Sequence, residues 1–177
     1  MLAVVVLVFF LLLSLFLLFI VGSAFLGFVF TRVPFVPTPK GDVEQMVRHL
    51  GLSQDDVFYE LGSGNGRVVF GVEALSGARA VGYESTLWTH LWASLRKRWR
   101  RAKARLVYGN FFKHNWSEAT VIYCYLYPPL MSSVGAKVLA ECRPGTRVVS
   151  RDFPITNLRE VGILRTRPHH SLYIYEV

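Results

Sequence analysis

No charged side chain occurs between Met1 and Thr31, where Leu, Val and Phe dominate. The absence of a basic n-region counts against a cleaved secretory leader. Gly22-Ser23-Ala24 supplies the small residues a leader needs, but the apolar run continues past them to Phe30. Leu2 to Phe30 is longer than the roughly 20 apolar residues that cross a bilayer as a helix. A retained anchor over 1–31 is the reading preferred, with the leader as its rival. Cysteine is scarce as well: Cys124 and Cys142 have no partner pattern, which excludes a disulfide framework and reads as two reduced, structural thiols. The five histidines lack ligand spacing, so no metal site is expected, and His169-His170 reads as a hairpin turn. Acids are few, 12 against 20 basic residues, and all of the resulting +8 lies beyond the anchor. Arg32 and Lys40 flank the exit from the apolar segment. The positive-inside tendency therefore predicts a single-pass membrane protein with its C-terminal domain in the cytoplasm.

What the chain does hold is a short dense motif, Val57-Phe58-Tyr59-Glu60-Leu61-Gly62-Ser63-Gly64-Asn65-Gly66-Arg67. It reads as a buried strand, an acid, glycines on alternate positions and the start of an apolar-periodic helix. Glycines accept φ > 0 and carry no Cβ, so a ligand can lie against the main chain where the N–H groups of a helix N-terminus are free. A ligand carboxylate or phosphate can bind at such an end. The dinucleotide fingerprint G-x-G-x-x-G would need its third glycine at 67, where Arg67 stands, so a pyrophosphate-binding NAD site is disfavoured.

Glu60-x-Gly62-x-Gly64-x-Gly66 instead resembles the first motif of the class I S-adenosylmethionine (SAM) methyltransferases. Ala80-Val81-Gly82-Tyr83-Glu84 looks like their second strand, ending in an acid eighteen residues beyond Gly66. The resemblance implies that Glu84 takes both ribose hydroxyls, which suits an acceptor-only carboxylate. Leu106-Val107-Tyr108-Gly109-Asn110-Phe111-Phe112 resembles the third-strand segment, where a polar residue meets the adenine amino group. The family usually has Asp there, and Asn110 still offers a carbonyl acceptor. The implied cofactor is SAM, held by Glu60, Gly62, Ser63, Gly64, Asn65, Gly66, Glu84, Asn110 and Phe111. The implied fold is a Rossmann-like α/β sheet, mostly parallel with an antiparallel last strand, behind one N-terminal transmembrane helix. SAM is made in the cytoplasm, which agrees with the predicted orientation.

Three prolines in six residues, Pro34, Pro37 and Pro39, forbid a continuing helix and favour extended geometry. Because Val33, Phe35 and Val36 lie between and beside them, residues 32–41 are expected to pack on the domain, which then occupies 42–177. Val-Pro-Phe-Val-Pro-Thr-Pro after a membrane segment, a short helix and then Glu-Leu-Gly-Ser-Gly-Asn-Gly-Arg is similar to a small membrane-anchored methyltransferase family. That family includes the mitochondrial lysine methyltransferases acting on the ATP synthase c subunit and the adenine nucleotide translocase. Ser150-Arg151-Asp152-Phe153-Pro154 resembles its segment at the end of the fifth strand, where His is commoner than Arg151.

The remaining elements follow from periodicity. Helices are expected over Asp42–Leu50, ended by Gly51, over Val68–Ser76, over Leu87–Arg105 and over Met131–Glu141. Strands are expected at Ala78–Tyr83, Val121–Leu126, Arg147–Ser150, Val161–Thr166 and Leu172–Val177, the last two joined across Arg167-Pro168-His169-His170, with no separate substrate domain. Leu87, Leu91 and Leu95 are spaced for a buried stripe. Seven basic residues lie between Arg96 and Arg105 with Trp99 among them. A solvated face, contact with anionic lipid headgroups and, ranked last, nucleic acid are the readings of that cluster.

Tyr127-Pro128-Pro129-Leu130 departs from the motif that amino-directed methyltransferases often carry after the fourth strand, so its catalysis is not carried over. Tyr125, Tyr127, Asp152 and the Phe35 region are the candidates to line an acceptor site. The resemblance implies a membrane-anchored enzyme methylating a lysine of a membrane protein. Methylation of a lipid or lipophilic small molecule, and a SAM-binding or structural module without turnover, are the alternatives.

Overall fold

The computed structural model describes residues 1–31 and 37–177, the side chains of 23–31 excepted, and the chain divides into two compact units. The first holds α1 (Leu2–Thr31), about 45 Å long at the helical rise per residue. Its stretch Leu2–Gly22 is long and apolar enough to cross a membrane, by length and composition. The second unit runs α2 (Lys40–Leu50), β1 (Val57–Leu61), α3 (Arg67–Ser76), β2 (Arg79–Glu84), α4 (Leu87–Arg100), β3 (Arg105–Tyr108), β4 (Val121–Cys124), α5 (Met131–Glu141), β5 (Arg147–Arg151), β6 (Glu160–Arg167) and β7 (His170–Glu176). Single helical turns lie at Phe111–Lys113 and Pro128–Leu130.

The strands form one sheet in the order β3-β2-β1-β4-β5-β7-β6. β1 pairs in parallel with β2 and β4, β2 with β3 and β4 with β5, while β7 runs antiparallel to β5 and β6. This is the Rossmann-like arrangement expected from the sequence, including the antiparallel closing strand.

Alternation along the central strands builds one core on each face. Phe58, Val121, Tyr123 and Val149 point to the side of α2 and α3, with Met46, Val69 and Phe70 packed over them. Tyr59, Leu61, Ile122, Cys124 and Val148 point to the other, under Met131, Val134 and Val138 of α5. Parallel strands covered on both faces need apolar side chains on both sides, as these have. Among the described residues, both cores are assembled from residues 43–177, and a unit with its own hydrophobic core can fold alone. Gly51 ends α2 in the left-handed conformation, φ 60°, and its N–H donates to carbonyls of the last turn. Thr38, from the end of the proline segment, is buried, and its hydroxyl lies 2.9 Å from the Tyr123 hydroxyl. Phe35 and the middle of that segment lie outside the described residues.

Two expectations for α4 need correction. The helix stops at Arg100, not Arg105: Arg101 is left-handed at φ 52°. The Glu73 carboxylate then accepts the N–H groups of Lys103 and Ala104 at 2.7 and 3.0 Å, and Arg105 opens β3 opposite Val81. A basic run that suits a helix C-terminus thus also supplies the strand start. Nor are Leu87, Leu91 and Leu95 a buried stripe; they are 45%, 47% and 41% exposed, and the buried residue of α4 is Ala93. The helix lies on the sheet by its small-residue side.

Candidate active site

Strand order reverses between β1 and β4, the point at which ligands bind beyond the carboxyl ends of open parallel sheets. There the chain leaves β1 and turns through Gly62-Ser63-Gly64-Asn65-Gly66 into α3. The three glycines have φ of 78°, 51° and 74°, values that side chains with a Cβ rarely adopt. The N–H groups of Gly62 and Ser63 both donate to the Tyr83 carbonyl, at 3.0 and 2.8 Å, which ties the turn to the end of β2. The Ser63 side chain is buried toward Gly82, where an added Cβ would meet Ser63 Cβ at 2.7 Å. Ser63 therefore presents its main chain to the turn.

Glu84, at the end of β2, spans the gap between this turn and α4. One carboxylate oxygen accepts the Gly64 N–H at 2.8 Å and the other the Thr86 N–H at 2.7 Å. Glu60 is buried below the turn and accepts the Val69 N–H at 2.8 Å. Burial pushes its carboxyl well above the ordinary range; the Val69 bond opposes this shift and the Glu84 charge adds to it. Asn65 uses its side-chain oxygen on the Arg67 N–H at 3.2 Å, and its carbonyl accepts from Arg96 at 3.0 Å. The N–H groups at the start of α3, expected to be free for a ligand, are thus partly taken. Two side chains of the motif itself satisfy those of Arg67 and Val69.

Beyond the end of β3, Asn110 is exposed and caps the Phe111–Lys113 turn, its side-chain oxygen accepting the Phe112 N–H at 2.9 Å. An amide oxygen has two lone pairs, so one remains for a further donor. The partly buried Phe111 ring packs against Phe112 and Trp116, centroids 4.6 and 6.2 Å away.

The ends of β4 and β5 bring Tyr125 and Asp152 together around a residue the sequence had not singled out for the site. Arg151 is 2% exposed, pairs with the equally buried Asp42 of α2, sits with its Nε 3.5 Å from Asp152, and lies 5.3 Å from the Tyr125 ring centroid. Asp42 also takes Arg167 Nε at 3.2 Å. Asp152 has φ 59° and accepts the Ser171 N–H at 3.0 Å, while its other oxygen lies 2.9 Å from His170 Nδ1. Burial, then the Asp152 charge, push the Tyr125 phenol up, so it stays protonated at neutral pH. Tyr127 stands 42% exposed at the Pro128–Leu130 turn, and nothing among the described residues ties it to the Tyr125–Asp152 pair. The only local signal for this cluster was an Arg-Asp dipeptide at a strand end. Asp42 is 109 residues from Arg151 in the chain.

Residues 60–161 match the ANTKMT methyltransferase domain family. A protein-lysine N-methyltransferase of Saccharolobus islandicus (strain REY15A) is 33% identical over 152 residues, 82% of this chain and 94% of that protein. The chain belongs to the ANTKMT methyltransferase family. The adenine nucleotide translocase lysine N-methyltransferase of Mus musculus is 28% identical over 136 residues, 75% of this chain and 58% of that protein. Among solved structures, an RNA methyltransferase from Salinibacter ruber in complex with S-adenosyl-L-homocysteine is 30% identical, with a TM-score of 0.76 over 80% of this chain and 94% of the other.

The enzyme is a SAM-dependent methyltransferase. Its residues fit that cofactor on electrostatic grounds. Glu60 and Glu84 are buried carboxylates that repel each other, and among the described residues neither has a salt-bridge partner. A ligand bearing a sulfonium and an ammonium would offset that negative charge, and glycines without a Cβ would let it approach the main chain.

Glu60 makes a pH test available. A carboxyl whose pKa is raised by folding contributes stability that is fully present below its unfolded value, roughly 4.3, and is lost as pH rises through the folded value. Glu60→Gln keeps an acceptor for Val69 and removes the buried charge. Relative to the parent, the variant is expected to gain stability between pH 4 and pH 8, measured as urea midpoints. An identical gap at both pH values would show that the Glu60 carboxyl is not strained by burial.

Proposed function

We propose that this methyltransferase is anchored in a membrane by α1 with its catalytic unit on the cytoplasmic side, and that it methylates a lysine of a membrane protein. The observation that carries the reading is an uncharged apolar helix of 30 residues in one chain with a domain of this family. It is supported by relatives named as protein-lysine methyltransferases, one of them for a translocase. Glu84 would accept from the ribose hydroxyls, the main chain of Gly62 to Gly66 would follow the amino-acid portion, Asn110 would accept from the adenine amino group and Phe111 would flank the ring. Glu60 acts behind them by holding the start of α3.

SAM supplies a methyl group on a sulfonium, an electrophile that needs no acid catalysis. The chain must therefore deliver a neutral amine in line. A free lysine side chain has a pKa near 10.4, so the ammonium proton has to be removed or disfavoured. Tyr125, Tyr127 and Asp152 would line the acceptor site. Asp152 would accept an N–H of the incoming amine in this reading, with His170 beside it at 2.9 Å, and desolvation of the acceptor would favour its neutral form. Tyr125, protonated, orients the amine through its oxygen. Positioning of this kind can supply up to roughly 7–11 kcal/mol of the barrier.

Membranes incubated with the full chain and methyl-tritiated SAM test the proposal. Label is expected in protein, released as methyl-lysine on hydrolysis. Label extracted with lipid would identify a lipid acceptor, and label removed by ribonuclease an RNA acceptor, as the name of the Salinibacter relative suggests; either overturns the lysine reading.

A further inference from the structure

We propose that α4 is a membrane-surface helix that inserts its outward face into the interface of an anionic bilayer. On a helix of 3.6 residues per turn, Leu87, Leu91, Leu95, Trp92 and Trp99 fall on one side. That side faces solvent: Trp92 is 51% and Trp99 70% exposed, as open as the three leucines, and their rings meet edge to face at 6.3 Å. The opposite side, marked by Ala93, rests on the sheet. An amphipathic helix in a globular domain ordinarily turns its apolar stripe to the core. Here the orientation is reversed, leaving exposed apolar side chains of the kind that mark an interaction site.

Charge identifies the occupant. α4 has no acidic residue, Arg98 lies among the leucines, and Arg100, Arg101 and Lys103 are exposed at its end. Leucine and tryptophan on one face with arginine and lysine beside them is the chemistry of helices that lie in the headgroup region, where tryptophan is favoured. A second copy of the chain fits poorly, because a twofold contact places the same patch against itself and would bring the arginines together. In a chain that also carries a helix apolar enough to span a bilayer, a membrane is the anionic surface at hand. The inference holds whichever acceptor is methylated.

The catalytic unit from Arg32 onward, which carries both cores, is the protein to use. It is expected to float with vesicles of equal parts phosphatidylserine and phosphatidylcholine, to leave them in high salt, and to show tryptophan quenching by brominated acyl chains. Replacing Arg98 by Glu should weaken binding by about fivefold or more. Leu91→Glu with Leu95→Glu should reduce it at least about tenfold, while SAM affinity in solution stays at the parent value and shows that the variant is folded. Binding unchanged in the leucine variant, equal binding to pure phosphatidylcholine, or dimerisation through α4 without vesicle binding would each overturn the proposal.

Discussion

Glu84→Ala is expected to weaken SAM binding by about a hundredfold or more. In the proposed site this carboxylate accepts from two ribose hydroxyls, and hydrogen bonds to a charged acceptor are worth about 1.5–3 kcal/mol each. The same side chain receives the Gly64 and Thr86 N–H groups, so its loss also frees the middle of the glycine turn. Glu84→Gln is no rescue. Its amide nitrogen would face one of those N–H donors and leave a single oxygen to accept. Calorimetry with SAM on parent and variant measures the effect, with the melting temperature as a check on folding. Unaltered affinity in a folded Glu84→Ala protein would remove Glu84 from the pocket.

Asp42→Ala is expected to destabilise the catalytic unit by about 3–5 kcal/mol, the usual cost of removing one member of a buried ion pair. Arg151 would be left 2% exposed, with Asp152 3.5 Å from its Nε and the Tyr125 ring 5.3 Å away. Asp152 is already engaged by Ser171 and His170, so it cannot replace both contacts. Urea denaturation at neutral pH measures the loss. Replacing Asp42 by Leu and Arg151 by Met together should recover much of it, since an apolar pair of similar volume avoids the desolvation cost. A single Asp42→Ala change of less than about 1 kcal/mol would mean that the pair is screened as surface pairs are. Because Arg151 touches both Tyr125 and Asp152, the folded fraction of Asp42→Ala should also lose methyl transfer while keeping SAM affinity.

Elements whose signal is local are legible in the chain of residues alone. Alternating glycines after Glu60 permit a left-handed, turning backbone, and Gly62, Gly64 and Gly66 have those values. Met131–Glu141 has the expected bounds, because helical periodicity and the following Pro144-Gly145 turn act within a few residues. The two-sided apolar strands announce a parallel sheet, and the alternating pair near the end announces its antiparallel edge.

What a residue faces is another matter. The stripe Leu87, Leu91, Leu95 declares an amphipathic helix, but periodicity is the same whether the stripe meets a core or a membrane. Only packing of Ala93 on the sheet turns the leucines outward. The end of α4 at Arg100 is likewise set from a distance, by the Glu73 carboxylate gathering the N–H groups of Lys103 and Ala104. Asp42 and Arg151 read separately as a helix-start acid and a strand-end base; burial makes them partners. The sequence by itself therefore determined the fold, the glycine turn and the acid at the end of the second strand, since backbone conformation and alternation are short-range. Tertiary structure alone decided which charges are buried together and which helix face is left for another surface, since those depend on contacts between residues far apart in the chain.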